Sequence, residues 1–148
     1  MKNEKMKNMN LPRGIRNNNP LNIRRGKDQW QGLRAQQTDA QFCQFESLEY
    51  GWRAAFYLLT RTYYHKYRLY TIRMIINKWA PPNENVTAKY IENVCRLTGI
   101  GADEPIGIPS DQPQRWMMVG RAMAIQECGM EGLDDFAMLR GWGLCRDQ

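Results

Sequence analysis

Apolar residues in the middle of the chain recur every three or four positions, the spacing that places side chains on one face of a helix. The first such repeat consists of Trp52, Ala55, Phe56, Leu59 and Tyr63. Ser47 precedes it as a typical N-cap, and Glu49 in the first turn suits the positive end of the helix dipole. We therefore predict a strong helix that begins at Ser47.

The same spacing, together with residues that begin and end helices, predicts four further helices. They run from about residue 71 to the proline pair at 81–82, from 85 or 87 to the glycine at 99, from 113 to 128, and from 132 to 144. Glycines directly after a helix are typical C-caps, as at Gly99 and Gly129. Prolines restrict the preceding residue and end the second helix.

The N-terminal third has no helical spacing. Residues 1–10 are patternless and predict a disordered tail, while the asparagines and prolines of residues 11–25 predict an ordered loop without helix. Short β-like runs at 30–32 and 41–45 are compatible with one small hairpin. The resulting fold class is mainly α (α+β), with residues 11–148 in a single domain.

The length and net charge of the chain limit the classes of function that it can have. The chain has 148 residues, enough to bury a core, and a net charge of +6 that favours anionic partners. Nucleic acid, an anionic membrane face and the acidic bacterial wall all qualify. The basic first residues are followed by no apolar segment, and no run can span a bilayer, so we expect neither a signal peptide nor membrane insertion.

The sequence contains no motif that is typical of a metal site or a cofactor site. The four cysteines form no C-x-x-C pair and do not cluster with the single histidine, His65. We therefore expect reduced thiols, no metal site and no cofactor.

Three glutamates are candidates for acid catalysis of glycan cleavage. Glu127 ends an apolar helix, where the negative end of the dipole favours a protonated carboxyl, as a general acid requires. Glu46 and Glu49 flank the junction between the hairpin and the first long helix and can supply a second carboxylate. The simpler interpretations are a solvent-exposed helix-end glutamate for Glu127, a strand-end charge for Glu46 and a first-turn charge for Glu49.

The loop before the helices is rich in arginine. Such a set can hold carboxylates or phosphates, and it can equally be a solvated basic surface. The set consists of Arg13, Arg16, Arg24, Arg25, Lys27 and Arg34.

The chain contains the run RGIRNNNPLNIR at 13–24, followed by Trp30-x-Gly32, F-x-x-F-x-S at 42–47 and WAPP at 79–82. Together these stretches resemble a phage-associated "structural protein" family. The resemblance extends from residue 12 to about 129. Members of that family usually have Gly where this chain has Leu21. The resemblance implies a phage or mobile-element origin.

Four elements follow one another in this chain: the Asn-rich loop of residues 11–25, Trp-x-Gly, the F-x-x-F-x-S segment and an apolar helix. This order resembles that of the glucosaminidase branch of the lysozyme-like enzymes. In that branch a helix carrying the catalytic acid precedes these elements, whereas here the comparable triplet, Glu127-Cys128-Gly129, follows them. We therefore hypothesise a lysozyme-like fold in circularly permuted order, in which Glu127 meets the Asn-rich loop. The candidate substrate-binding residues are Asn18, Asn19, Asn22, Arg24, Trp30 and Tyr90.

Three functions follow from these patterns. The first is cleavage of peptidoglycan glycan strands by a muramidase, glucosaminidase or lytic transglycosylase. The second is a non-catalytic phage virion or wall-binding module, and the third is a basic nucleic-acid binder, which lacks a recognisable binding motif. Without a signal peptide, a protein made in the bacterial cytoplasm would reach the envelope through a phage particle or a secretion machine.

Overall fold

The computed structural model of the chain describes residues 10–80 and 83–146. Its α-helices are α1 (Arg13–Arg16), α2 (Leu48–Tyr57), α3 (Ile72–Trp79), α4 (Glu84–Thr98), α5 (Pro113–Cys128) and α6 (Asp135–Arg146), with a π-helical segment (Leu58–Lys66) after α2. This composition confirms a mainly α fold. Apart from Asn10, the predicted tail lies outside the described residues, as does the proline pair at 81–82.

Most predicted boundaries of the long helices are confirmed, but α4 begins at Glu84, after the N-cap Asn83, and not at the predicted 85 or 87. Thr71 Oγ1 accepts a hydrogen bond from the Met74 backbone N–H at 3.2 Å, and the side-chain Oδ1 of Asn83 accepts one from the Val86 backbone N–H at the same distance. Gly99 and Gly129 have φ of +73° and +76°, the left-handed geometry that ends a helix. The last helix covers 135–146 and not the predicted 132–144.

Two predictions about helices were wrong. The loop of residues 11–25 contains the single turn α1, in which Arg16 N–H donates to Pro12 O at 3.0 Å; proline is well tolerated where a helix starts. The first long helix changes to π-helical winding at Leu58. There the Thr60 hydroxyl donates to Phe56 O at 2.7 Å and competes for a carbonyl that an α-helix offers to an amide.

The predicted hairpin is replaced by two isolated antiparallel bridges, Arg24 with Phe42 and Leu33 with Phe45, and the described residues contain no strand. Side chains satisfy some of the backbone groups that a ladder would pair. Gln44 Oε1 accepts the Thr38 N–H at 2.6 Å, and Gln37 Oε1 accepts the Gln44 N–H at 2.9 Å. The segment is therefore ordered by these side chains together with the backbone hydrogen bonds around the two bridges, such as Cys43 N–H to Ile23 O and Arg34 N–H to Gln44 O, both at 2.9 Å.

The chain divides into two compact units, one formed by residues 1–55 and 127–148 and the other by residues 56–126. That residues 11–148 form one domain, and that the fold is lysozyme-like and permuted, stay predictions. Among the described residues, no helix combines the length and apolarity needed to cross a bilayer.

In the first unit, α6 packs closely on α2. A β-carbon at Gly141 would overlap that of Trp52 and lie 2.8 Å from the carbonyl oxygen of Glu49, so glycine permits this approach. Trp52 is buried, as predicted from the helical spacing. The other large apolar side chains that are fully buried in this unit are Leu21 and Phe45.

In the second unit, the apolar faces of α3, α4 and α5 are buried as their spacing predicts. Its core includes Phe56, Leu59, Ile72, Ile75, Ile76, Val94, Trp116, Val119 and Met123. Tyr64 meets the edge of Trp116 with ring centroids 5.4 Å apart and planes at 77°. Such edge-to-face pairs add stability beyond the buried area.

Candidate functional site

Glu127 and the Asn-rich loop meet in the first unit. Asn22 Nδ2 lies 3.4 Å from Glu127 Oε1 and 3.5 Å from the Glu127 carbonyl oxygen, and the Glu127 side chain is half-buried. These are long distances for hydrogen bonds. The acidic residue at the end of α5 therefore lies beside the loop with which the sequence associated it.

Close backbone packing holds this contact. Cys128 is buried, and its Sγ donates to Pro20 O at 3.4 Å. Burial, and next the charge of Glu127, raise the pKa of the Cys128 thiol to about 12. A β-carbon at Gly14 would overlap Cys128 Sγ and lie 2.5 Å from Asn22 Oδ1, so only glycine fits between loop and helix end.

The two polar atoms of the Asn22 side chain, Nδ2 and Oδ1, have different surroundings. Its Nδ2 faces Glu127, while its Oδ1 is buried and has no hydrogen-bond partner among the described residues. Asn22 adopts φ of +52°, and Asn18 φ of +53°, a conformation that asparagine tolerates better than most residues. The backbone of the loop thus depends on the asparagines at these positions.

The other asparagines hold the loop together. Asn19 is fully buried, and its amide donates to Ile23 O at 3.0 Å and to Cys43 O at 2.9 Å. Asn18 donates to Phe45 O at 3.1 Å. Both amide hydrogens of Asn19 are used inside the protein, so this side chain positions the loop and has no free donor for a ligand.

The two other candidate acids lie in the same unit with different surroundings. The Glu49 carboxylate is 3.2 Å from Arg140 Nε, an ion pair that joins α2 to α6. Glu46 is exposed, and its N–H donates to Gly32 O at 2.8 Å. Neither side chain is oriented by a buried hydrogen-bond network of the kind that positions a catalytic base.

Asp39 organises the basic loop, although no sequence pattern had indicated this residue. Its carboxylate accepts two hydrogen bonds from Arg13, at 2.6 and 2.7 Å, and one each from Asn17 Nδ2 and the Gln41 and Phe42 N–H groups. The Arg13 guanidinium, and next the backbone and Asn17 donors, hold the pKa of Asp39 well below its usual range, against the opposing effect of burial. Five donors on one carboxylate fix the shape of this loop.

We expect Asp39→Asn to lower the free energy of unfolding by about 2 kcal/mol at pH 7, since it removes charge-assisted hydrogen bonds. The folded-state pKa of Asp39 is lowered, so its stabilisation exists above about pH 4 and is lost as the pH falls further. The difference between variant and wild type should therefore shrink in urea titrations at pH 3. Asp28→Asn, at an exposed aspartate, is the control. An equal difference at both pH values contradicts this assignment.

The remaining substrate-binding candidates are dispersed. The Arg24 guanidinium lies over the Phe42 ring, 5.2 Å from its centroid. Trp30 lines a polar cleft of about 500 Å³ in the first unit. Tyr90 is buried in the second unit, where its hydroxyl donates to Met123 O at 3.3 Å, so its ring is part of that unit's packing.

Within the described residues, no group of three or more His, Cys, Asp or Glu side chains is arranged to hold a metal ion. The four cysteines are free thiols in the structure. His65 is exposed at the end of the π-helical segment.

Comparison with known proteins links the chain to a bacteriophage. No family model matches it. It is 44% identical over 97 residues to Protein P5 of Pseudoalteromonas phage PM2, an alignment that covers 64% of this chain and 60% of that protein. The chain is similar to a phage protein. It spans about 60% of the length of this relative.

Proposed function

We propose that this chain is a phage-associated domain that cleaves the glycan strands of bacterial peptidoglycan, with Glu127 as the general acid. The observation that carries the proposal is the contact between the half-buried Glu127 carboxyl and the Asn22 amide. A general acid must be held at a fixed place and remain reachable by the glycosidic oxygen. The Asn-rich loop and the end of α5 together hold the Glu127 carboxyl at a fixed place, which is the first of these requirements.

The surroundings of the other glutamates favour a mechanism with one carboxylate. Hydrolysis with a nucleophile or base requires two carboxyl groups that face each other across the bond. Glu49 is paired with Arg140, and Glu46 is exposed. A lytic transglycosylase needs only one carboxylate, because a hydroxyl of the sugar itself closes the ring.

Mass analysis of the fragments released from purified peptidoglycan tests the proposal directly. We expect soluble fragments whose reducing end carries the anhydro sugar, lighter by one water than the hydrolysis product. Fragments with a free reducing end would replace the one-carboxylate mechanism by hydrolysis. Absence of any released fragment at micromolar protein would refute the enzymatic proposal.

The second candidate is a non-catalytic module of the phage particle. It is supported by the similarity to a phage protein. A module of this kind would bind virion components or the cell wall without releasing fragments. The same mass analysis separates the two candidates.

A further inference from the structure

Two neighbouring clefts of the first unit carry positive charge that the fold does not neutralise. The Trp30 cleft, of about 500 Å³, is lined by Arg25, Asp28, Gln29, Trp30, Arg34 and Gln37 among others. The Arg16 cleft, of about 310 Å³, is lined by Arg13, Arg16, Asn17, Arg34, Thr38, Asp39 and Gln44. Arg34 lines both, so the two clefts adjoin at this side chain.

Arg34 is held in place without losing its charge. Its Nε donates to Phe45 O and its Nη2 to Arg16 O, both at 2.9 Å. Both acceptors are neutral carbonyls, so the guanidinium keeps a full positive charge in a fixed position. A cation that is oriented before binding loses little conformational entropy when an anion arrives.

The other charges of the Arg16 cleft leave it cationic. Arg13 and Asp39 neutralise each other in a bidentate pair. Arg16 is exposed, and its guanidinium forms no ion pair with any described residue. Arg16 and Arg34 therefore remain available for an anionic group, and guanidinium groups match the geometry of a carboxylate.

The Trp30 cleft has the composition of a carbohydrate site. Trp30 is half-buried and lines this cleft together with planar polar side chains, among them Asp28 and Gln29. Sugars present an apolar ring face edged by hydroxyls, which such a surface matches. The volume lies within the range of about 300–1,000 Å³ that small-molecule sites occupy.

We propose that the Trp30 and Arg16 clefts together bind an anionic glycan, with a sugar ring against Trp30 and a carboxylate between Arg16 and Arg34. The identity of that glycan as peptidoglycan, whose strands carry carboxylate-bearing substituents, rests on the proposed function. The residues lining this site do not include Glu127. The site therefore holds the strand and takes no part in the chemistry.

The test measures binding of soluble peptidoglycan fragments to the Glu127→Gln protein, which separates binding from cleavage. Each fragment is used with free carboxylates and after conversion of those carboxylates to amides. We expect tighter binding of the charged form, and a preference that falls as salt screens the charges.

Two substitutions in that background locate the site. Trp30→Ala is expected to weaken binding of both fragment forms about tenfold, and Trp30→Phe much less, since it keeps an aromatic ring. Arg16→Ala should weaken only the charged form, by about threefold, because an exposed charge contact contributes modestly. Phe136→Ala and Arg146→Ala, at exposed positions of α6 in the same unit, are matched controls that should bind normally.

Unchanged binding by both Trp30→Ala and Arg16→Ala would overturn the inference. Salt-sensitive binding of duplex DNA with no binding of either fragment would also overturn it and identify a nucleic-acid surface. The protein could also bind fragments in a way that depends on Trp30 and Arg16 but never release fragments from peptidoglycan. That result would uphold the inferred binding site and refute only the enzymatic proposal.

Discussion

Glu127→Gln is expected to reduce the release of soluble fragments from peptidoglycan at least a hundredfold, roughly the contribution of a positioned general acid. Glutamine has the shape of glutamate and can still accept the Asn22 amide hydrogen bond at its carbonyl oxygen. It carries no proton that it can transfer to a leaving oxygen. The rate of fragment release at matched protein concentration measures the loss.

The matched control for this prediction is Glu131→Gln, four residues further along and exposed. It removes the same charge from the same unit and should release fragments at the wild-type rate. Circular dichroism and the urea midpoint of Glu127→Gln should match those of the wild type, which excludes unfolding as the cause. Undiminished release by Glu127→Gln would assign the acid to another residue.

Gly51→Ala is expected to destabilise the fold by about 3 kcal/mol, a large value for one added methyl group. A β-carbon at this position would overlap the carbonyl oxygen of Asn18 and lie 3.0 Å from the Pro20 ring. Neither obstacle is a flexible side-chain end, since one is backbone and the other a ring, so the loop itself would have to move away from α2. The midpoint of urea unfolding measures the effect.

Gly143→Ala provides the matched control, because Gly143 also lies inside a helix of the same unit but its β-carbon would meet no atom within 4 Å. There alanine should stabilise the protein by up to about 1 kcal/mol through its higher helix propensity. Equal stability of the two variants would mean that α2 and the asparagine loop are not in close contact.

The helices were predictable because their signals are local. The spacing of Ile72, Ile75 and Ile76 and the caps at Thr71 and Gly99 lie within one or two turns of the helix that they define. The π-helical winding after Tyr57 was not predicted, because π and α windings place similar faces inward over a short segment. Leu59 and Tyr63, which the α-helical spacing places inward, are also buried in the π-helical segment.

The candidate site was predictable only in outline. The residue types of the 13–24 run and the unusual position of Glu127 drew attention to two segments more than a hundred residues apart in the chain. Their contact depends on Gly14 and Cys128, whose importance appears only when loop and helix end are packed together. Likewise, Arg13 and Arg34 look alike in the sequence, yet Asp39 neutralises only the first.

The sequence alone determined the approximate positions of the long helices, the mainly α class and the basic charge of this protein, since these follow from the order and chemistry of neighbouring residues. The tertiary structure alone decided which asparagine meets Glu127 and which arginines keep their charge. It also decided that two isolated bridges, with glutamine side-chain hydrogen bonds, stand in place of a hairpin. Those outcomes depend on hydrogen bonds between residues distant in the chain, and no local pattern specifies which partner each polar group will find.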